Sequence, residues 1–310
     1  MPSKGSHILS AGTVKVVNIS KAPVPAVETL KLTVLVEDTA SVSIPNLTAR
    51  HGLSLLATMK SAGAYSQILM DAGPPPDIAL QNARKLEVDL NKTNVIVISH
   101  GHYDHVGGLI ETLKHIDHSV PVVAHPKAFD QKFIYRPHLK FVGPEFDRSS
   151  LGNVGGMLLL SRSPVTLLSG VLTSGEIPRK THFEQTRGFY AVANDRFVED
   201  PILDDQALFI NLKGRGLVVI VGCAHAGIIN TLRHARRIVG TSDIHAIVGG
   251  LHLAKADETR IYAVMKELAR INPRMIYPCH CTGSTAINQL LGYFGDRCRP
   301  VHTGDTIEFQ

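Results

Sequence analysis

Apolar positions recur in two periods along this chain, and the alternation of those periods predicts its elements. Leu32 to Glu37, Leu53 to Met59 and Ser66 to Asp71 are rich in Val, Leu and Ile or alternate with polar residues, and Gly- and Ser-containing turns separate them. They read as three strands of an antiparallel sheet. From Pro74 to Val88 the period lengthens: Ile78, Leu80, Ala83 and Leu86 fall at near-helical spacing, and proline suits a first helical turn, so a helix is expected over that span. A buried strand follows at Asn94 to Ile98.

The second half repeats the logic without repeating the sequence. Ala207 to Leu212 and Leu217 to Val221 flank a basic, Gly-containing turn and form a hairpin. Helices are expected over Ile228 to Val239, Thr259 to Ile271 and Thr285 to Tyr293, with short strands at Ile244 to Val248 and Met275 to Tyr277 between them. Two strand-rich halves, each finishing in alternating strands and helices, predict a layered α/β sandwich in one domain. Between the halves, Pro126 to Pro201 is rich in Gly, Pro, Ser and charge and lacks clear periodicity. That stretch reads as an insertion over about 126–205, either a lid on the site or a surface elaboration.

Composition narrows the function classes. A chain of 310 residues can bury a real core, and its formal charge of +5 comes from scattered basic residues without an aromatic-basic pattern, which argues against nucleic acid. An anionic small molecule is the partner this balance fits, and a homo-oligomer is compatible with it. Met1 to Val14 lacks the apolar core and cleavage site of a secretory peptide, and the most apolar stretch, Gly216 to Ile229, is interrupted and too short to span a bilayer. Four cysteines crowd into the last third without the spacing of a disulfide scaffold, so a reducing cytoplasmic setting is expected.

Ser99-His100-Gly101-His102-Tyr103-Asp104-His105 carries the chemistry. Three imidazoles and a carboxylate directly after a buried strand are poorly explained by packing, because such groups are seldom buried without partners. They match the donors of zinc, iron or manganese. If His100 lies just past the C-terminal end of its strand, its partners should lie past the ends of other buried strands. Of sixteen histidines, His225, His252 and His280 meet that test. Asp243 instead begins its strand and would lie roughly 15–20 Å from that edge.

The His-x-His-x-Asp-His run, the Asp71-Ala72-Gly73 turn and the later single histidines resemble the metallo-β-lactamase superfamily across nearly the whole chain. Gly222-Cys223-Ala224-His225-Ala226-Gly227, Gly249-Gly250-Leu251-His252-Leu253 and Pro278-Cys279-His280-Cys281-Thr282-Gly283 resemble the group related to 7,8-dihydropterin-6-methyl-4-(β-D-ribofuranosyl)aminobenzene-5'-phosphate synthase. The resemblance implies a four-layer αββα sandwich and one or two divalent ions (Zn, Mn or Fe). It places His100, His102 and His225 around one ion and Asp104, His105 and His280 around a second. Many relatives bridge the two ions with an aspartate, whereas this chain offers His252, which either binds one ion or hydrogen-bonds substrate.

Other residues carry weaker signals. In an extended chain Cys279 and Cys281 point away from His280, so both are expected to be buried, reduced thiols rather than ligands beside it. Asp71 is expected to order the ligand loop through hydrogen bonds. Thr282 and Ser284, ahead of a helix start, could receive a phosphate, and Glu176 and Arg179 resemble a substrate-binding segment of the same group. Two reactions fit the metals, with Asp104 and His252 as the catalytic candidates. One is a transferase joining a dihydropterin methyl diphosphate to a ribofuranosyl-aminobenzene phosphate. The other is a hydrolase of an ester, thioester or phosphoester. A metal-bound sensor without turnover is the reading outside enzymology.

Overall fold

A computed structural model describes residues 26–61, 63–193 and 195–309; the stretch Met1 to Val14 lies outside them. Two sheets face one another. In the first, strand Thr29–Val36 pairs antiparallel with Thr306–Phe309 and with Ser54–Ser61, which pairs antiparallel with Ala64–Met70. From there the sheet continues in parallel through Thr93–Val97, Val120–Ala124 and Gly156–Leu160. In the second, Thr166–Leu168, Val171–Thr173, Ala207–Leu212 and Gly216–Val221 run antiparallel in turn, and Ile244–Gly250 and Met275–Cys279 then add in parallel.

Three apolar clusters fill the spaces between four layers. Leu32, Val34, Met70, Ile210, Val218 and Val248 meet between the sheets. Ile96, Ile98, Leu80 and Leu109 pack the first sheet against helices Ile78–Lys85 and Leu109–His115. Leu232, Val264 and Leu290 pack the second against helices Ile228–Val239, Glu258–Ile271 and Ser284–Phe294. Strands apolar on both faces sit in the middle and amphipathic helices outside, which is the expected αββα arrangement.

Two elements depart from the sequence reading. The first helix spans only Ile78–Lys85: proline disfavours helical backbone in the residue before it, residues 74–77 form a bend and turns, and Asp77 becomes the cap position. The middle stretch is irregular only in part, chiefly over residues 174–188. Gly156–Leu160 joins the first sheet, and Thr166–Leu168 and Val171–Thr173 join the second. Strands Lys132–Tyr135, Leu139–Phe141, Phe189–Ala193 and Arg196–Glu199 make a separate four-stranded antiparallel sheet.

Candidate metal centre

The parallel strands all end at one edge. Asp71 follows Met70, His100 follows Val97 by three residues, Cys223 and His225 follow Val221, His252 follows Gly250, and His280 follows Cys279. Loops leave these ends in tight turns: Asp71, Ala224, His252 and His280 all take positive φ, between 51° and 61°, although none is glycine. Such conformations are costly and gather where function needs them. At Gly101 a Cβ would lie 1.8 Å from the Ala128 carbonyl oxygen, so only glycine lets the histidine loop pass there.

Candidate donor atoms from His100, His102 and His225 lie within 4.8 Å of one another, as do those of His100, His105 and Cys223. The rings are oriented from behind. Asp71 Oδ2 lies 2.7 Å from His105 Nδ1, and the Ser99 hydroxyl lies 2.9 Å from His100 Nδ1. Asp38 Oδ1 lies 2.7 Å from His280 Nδ1, which turns Nε2 toward the centre. Asp104 Oδ2 lies 3.4 Å from His280 Nε2, 3.6 Å from His105 Nε2 and 3.4 Å from His51 Nε2.

Burial, reinforced by neighbouring imidazoles, holds His100 and His225 well below the usual histidine range, and burial brings His102 down to about 4. All three are therefore neutral, the form that donates a lone pair. Burial alone would raise the Asp104 pKa, but His105 and His280 beside it hold the carboxylate well below its ordinary value. Buried nitrogens without a hydrogen bond remain at His102 Nε2, both ring positions of His225 and His252 Nδ1. Unpaired buried nitrogens are costly, so this concentration at one point fits residues built around a divalent cation.

Other expectations fare differently. Asp71 accepts from Ser99 N at 2.7 Å and Ser99 Oγ at 2.6 Å. Cys279 is buried, but Cys281 is not set aside: its Sγ, that of Cys223 and a His280 donor lie within 4.8 Å of one another. The alternation rule fails there because the chain is not extended; His280 opens the 3-10 turn His280–Thr282. Thr282 is fully buried and its hydroxyl accepts from Leu251 N, while Ser284 is exposed and does not cap its helix. Glu176 pairs with His125 and Arg162, and Arg179 donates to the carbonyls of His225 and Ile202. These four residues do not line the main cleft, although Arg179 borders a second, smaller one.

His51 and Asp38 escaped the sequence reading. His51 sits between Asp38 and Asp104 with its ring 4.7 Å from that of His280. Asp38 follows an apolar strand but carries no histidine motif, and it meets His280 across 242 residues, while His51 stands alone ahead of its strand, so no local spacing signals them.

A cleft of about 560 Å³ opens over this floor. His252 faces it, with its ring 4.2 Å from that of His225. The four-stranded sheet supplies one wall through Ile134, Arg136, Lys140 and Phe189, and Arg187, Lys255 and Arg260 complete a cationic rim.

Residues 66–238 match the family model described as the metallo-beta-lactamase superfamily. The 7,8-dihydropterin-6-methyl-4-(beta-D-ribofuranosyl)-aminobenzene-5'-phosphate synthase of Methanocaldococcus jannaschii is 33% identical over 289 residues, covering 91% of this chain and 98% of that protein. Tm1679, a solved structure described as a metal-dependent hydrolase of the beta-lactamase superfamily, is similar with a TM-score of 0.76 and 28% identity, covering 90% of this chain and 99% of that one. The metallo-beta-lactamase fold protein YhfI of Bacillus subtilis, at 12% identity and a TM-score of 0.52 over 91% of this chain and all of that one, shares the fold. The chain belongs to the metallo-β-lactamase superfamily. Divalent metal binding is typical of that superfamily, and the family and the synthase relative together support an enzyme. No helix among the described residues is long and apolar enough to cross a membrane.

Proposed function

We propose that the protein is a metal-dependent transferase that joins a dihydropterin methyl diphosphate to a ribofuranosyl-aminobenzene phosphate and releases diphosphate. The observation that carries this reading is the cleft, which joins a histidine and carboxylate floor, the Phe189 ring and five rim cations in one opening. The likeness to the synthase along nearly its whole length supports the same reaction. Two phosphorylated substrates bring several negative charges together, and Arg136, Lys140, Arg187, Lys255 and Arg260 offset that repulsion. Phe189 is itself stacked on His102, and the Arg136 guanidinium 5.6 Å over its ring offers a planar cation for a flat pterin.

His100, His102 and His225 would hold one ion, and Asp104, which lies 3.6 Å from His105 Nε2 and 3.4 Å from His280 Nε2, would hold a second with them; the donor set suits Zn, Mn or Fe. A divalent ion bound there supplies Lewis acidity to a departing diphosphate. As the acceptor amine bonds to the methylene carbon and the carbon–oxygen bond to diphosphate breaks, the amine loses a proton where Asp104 and His252 line the cleft. The four-stranded sheet acts as a cover that keeps water from competing with the amine.

A hydrolase is the second reading, favoured by the likeness to Tm1679. The two are separated by measuring diphosphate release from the dihydropterin methyl diphosphate with metal-reconstituted protein, with and without the aminobenzene acceptor. Release that requires both the acceptor and His100, tested by His100→Ala, supports the transferase. Release that needs His100 but not the acceptor supports the hydrolase, and no acceptor-dependent release overturns the first reading. In the transferase, Arg136→Ala and Arg260→Ala should each raise KM, since a lost charge-assisted hydrogen bond costs about 1.5–3 kcal/mol, on the order of 10- to 150-fold.

A further inference from the structure

The metal centre contains more sulfur than its histidine motif implies. Cys223 Sγ belongs to three donor groups at once: with His100 and His105, with His225 and His252, and with His280 and Cys281, each within 4.8 Å. It lies 3.2 Å from His105 Nε2, whose other nitrogen is already fixed by Asp71. The two candidate ion positions lack an aspartate bridge on this chain, and Cys223 stands between their histidines. The ring nitrogens of His225 and Nδ1 of His252, which make no hydrogen bond, belong to residues grouped with this sulfur.

Cys281 is held at the site by the backbone. A Cβ on Gly250 would come within 2.4 Å of Cys281 Sγ and 2.7 Å of the Gly222 carbonyl oxygen, so the space at position 250 is occupied by the thiol. Cys279, two residues away, is what a packing thiol looks like: it lies in the apolar cluster between the sheets.

We propose that Cys223 and Cys281 are thiolate ligands of the metal centre, with Cys223 shared between the two histidine groups and Cys281 serving the His280 side. Binding would release their protons to solvent. Thiolate donors favour thiophilic ions such as zinc, cobalt and cadmium over manganese or magnesium. The proposal concerns the ligand set and holds whether the reaction is transfer or hydrolysis.

The test is the absorption spectrum of the cobalt(II)-loaded full chain under reducing conditions. A near-ultraviolet sulfur-to-cobalt charge-transfer band is expected, weaker in Cys223→Ser and in Cys281→Ser, absent in the double variant and unchanged in Cys298→Ala. Bound cobalt with visible ligand-field bands but no charge-transfer band, or a band that survives the double variant, overturns the proposal. Zinc X-ray absorption of the unmutated protein probes the same ligands without any variant. A zinc–sulfur shell at about 2.3 Å is expected, and a purely nitrogen and oxygen shell rejects the thiolates.

Discussion

Asp71 uses both carboxylate oxygens on the loop that carries the candidate ligands: Oδ1 accepts from Ser99 N, and Oδ2 meets both Ser99 Oγ and His105 Nδ1. Removing that charge should loosen the His105 ring and its tautomer without touching a donor atom. Asp71→Asn is therefore expected to lower metal affinity by about 10- to 100-fold, measured by competition with a chelator; unchanged affinity would limit Asp71 to closing the turn. Ligand-type residues were legible where they cluster or follow a strand, as in His100 to His105, His225, His252 and His280. His51 and Cys281 were not, because one lies in a turn with no motif and the other is turned into the site by a left-handed residue that spacing does not reveal.

At the scale of elements, helix Ile228–Val239 shows what periodicity can and cannot predict. Its span follows from apolar spacing, but its start has no side-chain cap of its own, since Gly227 holds that position. Glu184, from a loop 45 residues earlier, supplies it: Oε1 accepts from Ile229 N at 2.9 Å and Oε2 from Asn230 N at 3.1 Å. Thr181 Oγ1 also donates to Oε2. A carboxylate at a helix N-terminus is favoured by the helix dipole and satisfies donors that would otherwise be orphaned. Glu184→Ala should therefore cost about 1–3 kcal/mol in urea unfolding, with Glu184→Gln recovering part of the loss. Equal stability of wild type and Glu184→Ala would show that water replaces the cap. No sequence rule pairs a loop glutamate with a helix start so far downstream.

A layered α/β sandwich was legible in the chain's alternating strands and helices, and the family resemblance supplied its four-layer form. The small sheet was not legible, because its strands are only three to five residues long and strand Arg196–Glu199 is exposed throughout. Its anchor is a buried charge. Lys132, in its first strand and 1% exposed, donates to Asp200 Oδ2 at 2.8 Å and Asp204 Oδ1 at 2.9 Å. Asp204 Oδ2 accepts from Gly101 N at 2.8 Å, so one ion triad ties the wall of the cleft to the histidine loop. Burial disfavours both charges, yet Asp204 and Asp200 raise the Lys132 pKa, and Lys132 lowers that of Asp204. Asp204 thus gives its stability above the unfolded carboxylate value of 3.8 and loses it as pH falls through its lower folded pKa. Lys132 gives its share below 10.5 and loses it as pH rises through its higher folded pKa. Lys132→Met leaves two carboxylates buried without a cation and should cost about 3–5 kcal/mol near neutral pH. Protonation of the Asp204 carboxylate, no longer held down by Lys132, relieves part of the defect, so the loss should be smaller at about pH 4.5 than at about pH 7, read from urea unfolding at both. A loss of the same size at both would assign it to packing rather than charge.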